Sequence, residues 1–308
     1  MSQPAVIAVI GPTAAGKSDL AVRVARAVGG EIVNADSMQI YRGMDIGTAK
    51  LTMSERHGVP HHLLDLLDVT QPSTVAEFQA MARTAISDCH GRGVKPVVVG
   101  GSALYIRAIL DRFEFPGTDA GLRARLESEL AACGPRVMHD RLQKVDPQSA
   151  ESILPTNGRR IVRALEVVDL TGHPFRARLP PKEYAFDRVV QIGLRMPRQV
   201  LNERIERRVS DMWEAGLVDE VRALERAGLR ESRTASRALG YAQVLRFLAG
   251  DCTEGEARLD TVRATRRFSR RQDSWFRRDP RIGWLAYDDP DLTQRALAMM
   301  EVHGLRAG

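Results

Sequence analysis

An α/β fold is predicted, with a parallel sheet covered by helices on both faces and a helical subdomain inserted into it. Three observations lead there. Between residues 5 and 110, short apolar runs of strand length alternate with amphipathic runs of helical length, the pattern of successive βαβ units. A glycine-bearing turn, GPTAAGKS at 11–18, joins the first such strand to the first helix. Beyond residue 118 the chain is helical and charged, and strand character returns only at 188.

The elements follow in order. AVIAVI (5–10) is a buried parallel strand, and SDLAVRVARAVGG is a helix stopped by Gly29-Gly30. EIVNAD (31–36) is a second strand, and HHLLDLL (61–67) is a short apolar element whose type the pattern leaves open. STVAEFQAMARTAISDCHGRG (73–93) is a helix, with Thr74 and Glu77 at capping-box spacing. KPVVVGGSALYIRAIL (95–110) is a third strand, a Gly-Gly turn and a helix. EFPGTD (114–119) reads as a linker into three helical runs, at 122–134, 137–145 and 158–172. RVVQIGLRM (188–196) is a strand, three or four helices follow, and IGWLAYD (282–288) is a last strand. Residues 1–115 and 186–308 therefore form the α/β core, and residues 116–185 the inserted subdomain.

The 308 residues suffice for one core plus a smaller unit, and 44% hydrophobic content is ordinary for a globular chain. No apolar run approaches the ~18–20 residues of a membrane span. MSQPAVIAVIGPT lacks a basic leader region and runs into Gly-Pro, so it reads as a strand and not a signal peptide. Cys89, Cys133 and Cys252 are scattered, which excludes a disulfide framework or a zinc site and fits reduced, mostly buried thiols in a cytoplasmic protein. His61-His62 lacks metal-pair spacing, and Trp213, Trp275 and Trp284 are assigned to the core.

GPTAAGKS matches G-x-x-x-x-G-K-[ST] in the strand-to-helix setting that the motif requires, so the sheet is P-loop NTPase-like. Gly11 and Gly16 permit the tight backbone, loop N–H groups and the helix N-terminus face phosphate oxygens, Lys17 adds a full charge, and Ser18 is a Mg²⁺ ligand. A hydrolysing NTPase needs a carboxylate at the end of a neighbouring strand. VVVGGS ends in glycine and serine, and nothing selects Asp65 or Asp68 as a substitute. The best-placed acid is Asp36, at the carboxyl end of the second strand, where ligands bind in open α/β sheets.

Residues 258–278 hold eight arginines, with only Asp260 and Asp273 as acids. Arg263, Arg267, Arg270, Ser274 and Arg277 follow helical spacing and share a face. Such a face suits phosphates and exposed bases.

The motifs GPTAAGKS, NADSMQIYRGMDIGTAK (34–50), PHHLLDLLDV (60–69) and VVVGGSALYIRAIL (97–110) resemble, in order, those of the tRNA dimethylallyltransferase family, also called tRNA isopentenyltransferases. RRIVRALEV (159–167), RIERRVSDMWEAGLVDEV (204–221), SRALGY (236–241) and ATRRFSRRQDSWFRR (264–278) continue the resemblance over nearly the whole chain. Departures are Gly100-Gly101-Ser102-Ala103 for the family's Gly-Gly-Thr-Gly, with Ala103 expected to restrict the turn slightly, and Gly240-Tyr241-Ala242-Gln243 for Gly-Tyr-Lys-Glu. Phe268-Ser269-Arg270-Arg271-Gln272 stands for Tyr-Ala-Lys-Arg-Gln and keeps its charge.

The resemblance implies transfer of a dimethylallyl group from its diphosphate to the exocyclic amine of the adenosine 3′ of the tRNA anticodon. Gly11, Pro12, Thr13, Ala14, Ala15, Gly16, Lys17 and Ser18 would bind the diphosphate with Mg²⁺, and Arg208 matches the family's diphosphate-contacting arginine. Asp36 would take the amine proton, or position the metal's water. Ser37, Met38 and Gln39 would hold the extruded base. Further tRNA contacts are implied for Ser102, Arg123, the segment Arg159, Arg160, Ile161, Val162 and Arg163, and Arg237, Gly240 and Tyr241. A monomer is the default expectation. Alternatives are a P-loop small-molecule or nucleotide kinase, an adenylate isopentenyltransferase acting on free nucleotide, and an RNA-binding protein with a vestigial loop.

Overall fold

The structure, a computed structural model, describes residues 5–175 and 180–302. Residues 1–4 of the N-terminal run, and 176–179 of the segment expected to be helical, lie outside the described residues. The chain divides into two compact units: residues 112–183 form one, and the flanking segments form the other.

The larger unit is built on six parallel strands in the order β3-β2-β4-β1-β5-β6. These are β1 (Ala5–Ile10), β2 (Gly30–Asn34), β3 (His61–His62), β4 (Lys95–Gly100), β5 (Arg188–Arg195) and β6 (Ile282–Ala286). The apolar element of open type thus contains a two-residue edge strand. Helix α1 (Lys17–Val28) follows β1, and α2 (Val75–Gly91) and α3 (Ala103–Leu110) flank β4. Every residue of β1 is buried, as a central parallel strand requires. Its side chains alternate between two cores. Val6, Ala8 and Ile10 pack with Phe78 and Ile86 of α2 and Ile106 and Ile109 of α3. Ile7 and Val9 pack with Leu20 and Val24 of α1 on the other face. Thr74 caps α2 in a reciprocal capping box with Glu77.

The smaller unit contains α4 (Ala120–Val145), α5 (Pro147–Ser152) and α6 (Gly158–Thr171). Gly134, at φ 79° and ψ 166° and followed by Pro135, breaks α4 into the two runs expected from the sequence. Leu126, Met138, Leu142, Ile161 and Leu165 form its core. Within it, the carboxylate of Glu166 is fully buried and bonded by Arg123, Arg163 and Thr118.

After β5 come α7 (Arg198–Glu214), α8 (Leu217–Arg226), α9 (Tyr241–Leu248) and α10 (Glu254–Phe276), and α11 (Leu292–Val302) follows β6. No helix among the described residues is long and apolar enough to cross a membrane.

Candidate active site

Register brings three chain segments to one sheet edge. Ile10 pairs with Gly100, and Asn34 with Val99. The strands are parallel, so the phosphate loop, the Asp36 segment and the Gly100-Gly101-Ser102 turn all leave from the same carboxyl end, the ligand-binding edge of such sheets.

The phosphate loop is held in a strained, preformed shape. Gly16 has φ 93°, which a glycine adopts freely, and Ala14 has φ 65°, which an alanine does not. The amine of Lys17 donates to the Pro12 carbonyl at 2.8 Å. Desolvation, and then the neighbouring Arg208 cation, lower the Lys17 pKa to about 8, with Asp36 acting in the opposite direction. Desolvation also lowers Arg208, and Asp36 again opposes. Lys17, Arg208 and Asp36 therefore form one electrostatic cluster, two cations and one carboxylate.

Asp36 is fixed by its own backbone. Buried Asn34 accepts the Asp36 N–H at 2.9 Å and donates to the Asp36 carbonyl at 2.9 Å and to the Leu63 carbonyl at 3.1 Å. Asp36 Oδ1 accepts the Met38 N–H at 3.0 Å, an Asx turn that aims the carboxylate. Burial raises the pKa of the Tyr105 hydroxyl on α3, with Ser37 acting in the opposite direction. Gln39 donates to the Thr48 carbonyl at 3.1 Å, and Arg208 donates to the same oxygen at 3.3 Å. Ser102 is the N-cap residue of α3, and its hydroxyl makes no capping bond. Ala103 opens α3 with ordinary helical backbone, so the expected restriction of that turn does not arise.

Three residues that sequence reasoning passed over also meet the site. Arg204, one helical turn before Arg208, donates to the Ala14 carbonyl at 3.5 Å and lies over the Tyr287 ring; its i, i+4 spacing to Arg208 was the available signal. Gln272 of α10 accepts the Thr13 N–H at 2.8 Å. Glu220 braces the segment 45–47. No local pattern marked the last two.

The arginine helix is arranged as expected. Arg263, Arg267, Arg270, Ser274 and Arg277 are all exposed. A cavity of about 410 Å³ is lined by Arg267, Arg270, Arg271, Ser274, Trp275 and Arg278. Trp275 is 44% exposed, which corrects its assignment to the core, while Trp213 and Trp284 pack against the core.

Several expected RNA-contacting residues are placed otherwise. Tyr241 and Gly240 are buried, and the Tyr241 hydroxyl donates to Glu220. Ile161 and Val162 are core residues of the smaller unit, because the apolar face of α6 points inward. Arg123 and Arg163 are bonded to Glu166, while Arg159, Arg160 and Arg237 are exposed. Asp65 pairs with Lys50 and Asp68 with Arg42, so both alternative metal carboxylates are engaged. Cys133 is exposed, against the expectation of mostly buried thiols. At the start of β2, Glu31, His62 and Cys89 cluster, but Arg92 occupies both Glu31 oxygens, at 2.7 and 2.6 Å. Arg92 holds the Glu31 pKa down at about 2, and burial pushes the Cys89 thiol up to about 11.

Residues 39–279 match the family model of the IPP transferases. The chain belongs to this family. It is 64% identical to the tRNA dimethylallyltransferase of Thermobifida fusca, over 97% of this chain and 95% of the relative. It is 62% identical to that of Streptomyces coelicolor, over 97% and 96%. Among solved structures, it resembles a tRNA isopentenylpyrophosphate transferase of Bacillus halodurans, with 39% identity, a TM-score of 0.70, and 98% and 95% coverage. It also resembles a eukaryotic dimethylallyltransferase acting on tRNA, with 26% identity, a TM-score of 0.83, and 99% and 81% coverage.

Proposed function

We propose that this chain transfers the dimethylallyl group of dimethylallyl diphosphate to the N6 amine of the adenosine 3′-adjacent to a tRNA anticodon, releasing diphosphate. The observation that carries this reading is the single cluster of Lys17, Arg208 and Asp36 at the carboxyl end of the sheet. Two cations suit a departing diphosphate, which gains a negative charge as it leaves, and one carboxylate beside them suits a proton acceptor.

As the allylic carbon–oxygen bond breaks, its electron pair leaves with diphosphate. The loop N–H groups, Lys17 and Arg208 stabilise that charge where it grows. The amine nitrogen forms the new carbon–nitrogen bond, and its proton passes to Asp36. One carboxylate oxygen is tied to the Met38 N–H, which aims the group without consuming both oxygens. The adenine amine is a weak nucleophile, so proton removal coupled to bond formation matters. Ser37, Met38 and Gln39 hold the extruded base, for which loop unstacking costs only a few kcal/mol. The arginine face of α10 takes tRNA phosphates, and Arg237, and in the smaller unit Arg159 and Arg160, all exposed, are further RNA contacts.

The donor set fits Mg²⁺. Ser18 is half-exposed in the first turn of α1, no hydrogen bond of its hydroxyl is recorded among the described residues, and the Asp36 carboxylate, in the alternative in which it is not the base, would position the metal's water. These are hard oxygen donors, and phosphate oxygens would complete the shell. Bound there, the ion would supply further charge neutralisation of diphosphate. The engagement of Asp65 and Asp68 in ion pairs weighs against a kinase.

The test is acceptor competition. With Mg²⁺ and labelled dimethylallyl diphosphate, an anticodon stem-loop should take the label and excess AMP should not reduce transfer. Label on AMP in preference to RNA would move the reading to a free-nucleotide enzyme.

A further inference from the structure

Three consecutive backbone N–H groups converge on one carboxylate. Glu220, in the first turn of α8, accepts from Asp45 at 3.1 Å and Ile46 at 2.8 Å on Oε2, and from Gly47 at 3.2 Å on Oε1. The Tyr241 hydroxyl, at the start of α9, donates to Oε1 at 2.6 Å. A carboxylate seated in a run of N–H groups is a strong, charge-assisted arrangement. The fit is close. A Cβ at Gly47 would lie 2.4 Å from the Tyr241 ring, so only glycine brings the backbone this near. From the other side, buried Lys50 holds the Asp45 and Asp65 carboxylates, each at 2.6 Å, and the Tyr41 carbonyl at 3.0 Å.

The next residue after this braced run is Thr48. Its carbonyl accepts both the Gln39 amide and the Arg208 guanidinium. One backbone oxygen thus orients a side chain three residues from Asp36 and the arginine that shares its field with Lys17. Glu220 touches neither group, and acts on both through the segment it holds.

We propose that Glu220 is a positioning residue for the transfer reaction: it fixes the Thr48 carbonyl, and through it the reach of Arg208 toward the leaving diphosphate and the orientation of Gln39 beside the acceptor base. The inference rests on the proposed function for the identity of the two substrates. Burial and the Glu220 charge raise the Tyr241 pKa, so its hydroxyl stays protonated and keeps donating. Replacing Glu220 with glutamine presents an amide donor to backbone donors, and the segment must retreat.

The experiment compares full-length wild type, Glu220→Gln, Glu220→Asp, Tyr241→Phe, Arg208→Lys and the double variant Glu220→Gln/Arg208→Lys. Steady-state kinetics use dimethylallyl diphosphate and anticodon stem-loop RNA, with thermal unfolding in parallel. Glu220→Gln should raise the KM for the diphosphate substrate and lower kcat, for a combined loss on the order of 10- to 100-fold, the scale of a small misplacement of a catalytic group. Glu220→Asp should recover part of that loss. Tyr241→Phe keeps the carboxylate and its three N–H bonds, so it should fold and show a severalfold loss in the same direction, even if Glu220→Gln does not fold. In its KM for the diphosphate substrate, the double variant should be little worse than Arg208→Lys alone, because on that substrate the two act through one group. Unchanged KM values with kcat reduced only by the folded fraction, or additive rises of the diphosphate KM in the double variant, would overturn the proposal. If the wild type transfers nothing to RNA, the functional reading fails instead. Calorimetry with inorganic diphosphate then decides the positioning role: Glu220→Gln must weaken binding severalfold, and equal affinity overturns it.

Discussion

Gln272, on the helix that carries the exposed arginines, accepts the backbone N–H of Thr13 in the phosphate loop at 2.8 Å. The residues are 259 positions apart in the chain. The bond makes the arginine-bearing helix part of the wall of the phosphate loop. Gln272→Leu leaves that N–H without its partner, at a cost of about 1–3 kcal/mol when water cannot replace it. The loss should fall on kcat/KM for dimethylallyl diphosphate, by roughly tenfold, with little change in RNA affinity. Equal kinetics in the variant would show that the contact is incidental.

Asp36→Asn keeps the shape of the side chain and removes its basicity. Transfer should fall about 10²- to 10⁴-fold, the usual worth of a positioned general base. Diphosphate affinity should not weaken, because the lost charge was negative. Isothermal calorimetry with diphosphate and single-turnover transfer read the two effects separately. Near-normal turnover would leave Asp36 with a metal-positioning role only.

Lys17, lowered to about 8, predicts a pH effect of known sign. Its cation is present below that value and lost above it, so diphosphate affinity should decline as pH rises through about 8. Binding at slightly alkaline pH should take up a proton, visible as a dependence of calorimetric heat on the buffer. Lys17→Met should remove that component, leaving the titration of diphosphate itself. Between about 8 and the ordinary 10.5 the unfolded chain holds the extra proton, so this group makes stability rise with pH in that window.

Arg263, Arg270 and Arg271 are exposed, and no ion pair is recorded for them among the described residues. RNA affinity should fall steeply with salt, because each arginine–phosphate contact releases counterions. Removing any one of these arginines that contacts phosphate should reduce the log–log salt slope by about one. A slope that stays flat, or is the same after all three are replaced by alanine, would remove this helix from the RNA surface.

Glu166 is buried under Arg123, Arg163 and Thr118. Despite opposing desolvation, these bonds hold its pKa down at about 2. Its stabilisation is therefore complete above the usual 4.5 and is lost as pH falls from there toward about 2. Glu166→Ala removes the shared partner of two partly exposed arginines and should cost about 1–3 kcal/mol. Limited proteolysis between residues 112 and 183 would detect this as faster cleavage.

Features written in local pattern were legible in the sequence. The unbroken apolar run AVIAVI, the Gly-Lys-Ser turn, the Thr74 cap and the Gly134-Pro135 break each follow from a few adjacent residues. Asp36 was legible because a parallel strand's carboxyl end is fixed once its neighbours are. Glu220 and Gln272 were not, since each acts on backbone N–H groups brought near only by tertiary packing. Tyr241 was read as an RNA contact from its motif, yet its neighbours Glu220 and Gly47 enclose it. Ile161 and Val162 sit on an apolar helical face that periodicity alone would have placed in a core. Trp275 went the other way, because a tryptophan within an arginine face has no apolar neighbours to bury it.

The most direct measurement is the identity and place of the product. Wild-type protein, Mg²⁺, dimethylallyl diphosphate and an anticodon stem-loop are incubated, and the RNA is digested to nucleosides for mass spectrometry. The account predicts N6-dimethylallyladenosine at the position 3′ of the anticodon, and its loss when that adenosine is replaced by guanosine. Unmodified RNA together with prenylated AMP, or phosphoryl transfer from ATP in place of prenyl transfer, would contradict it.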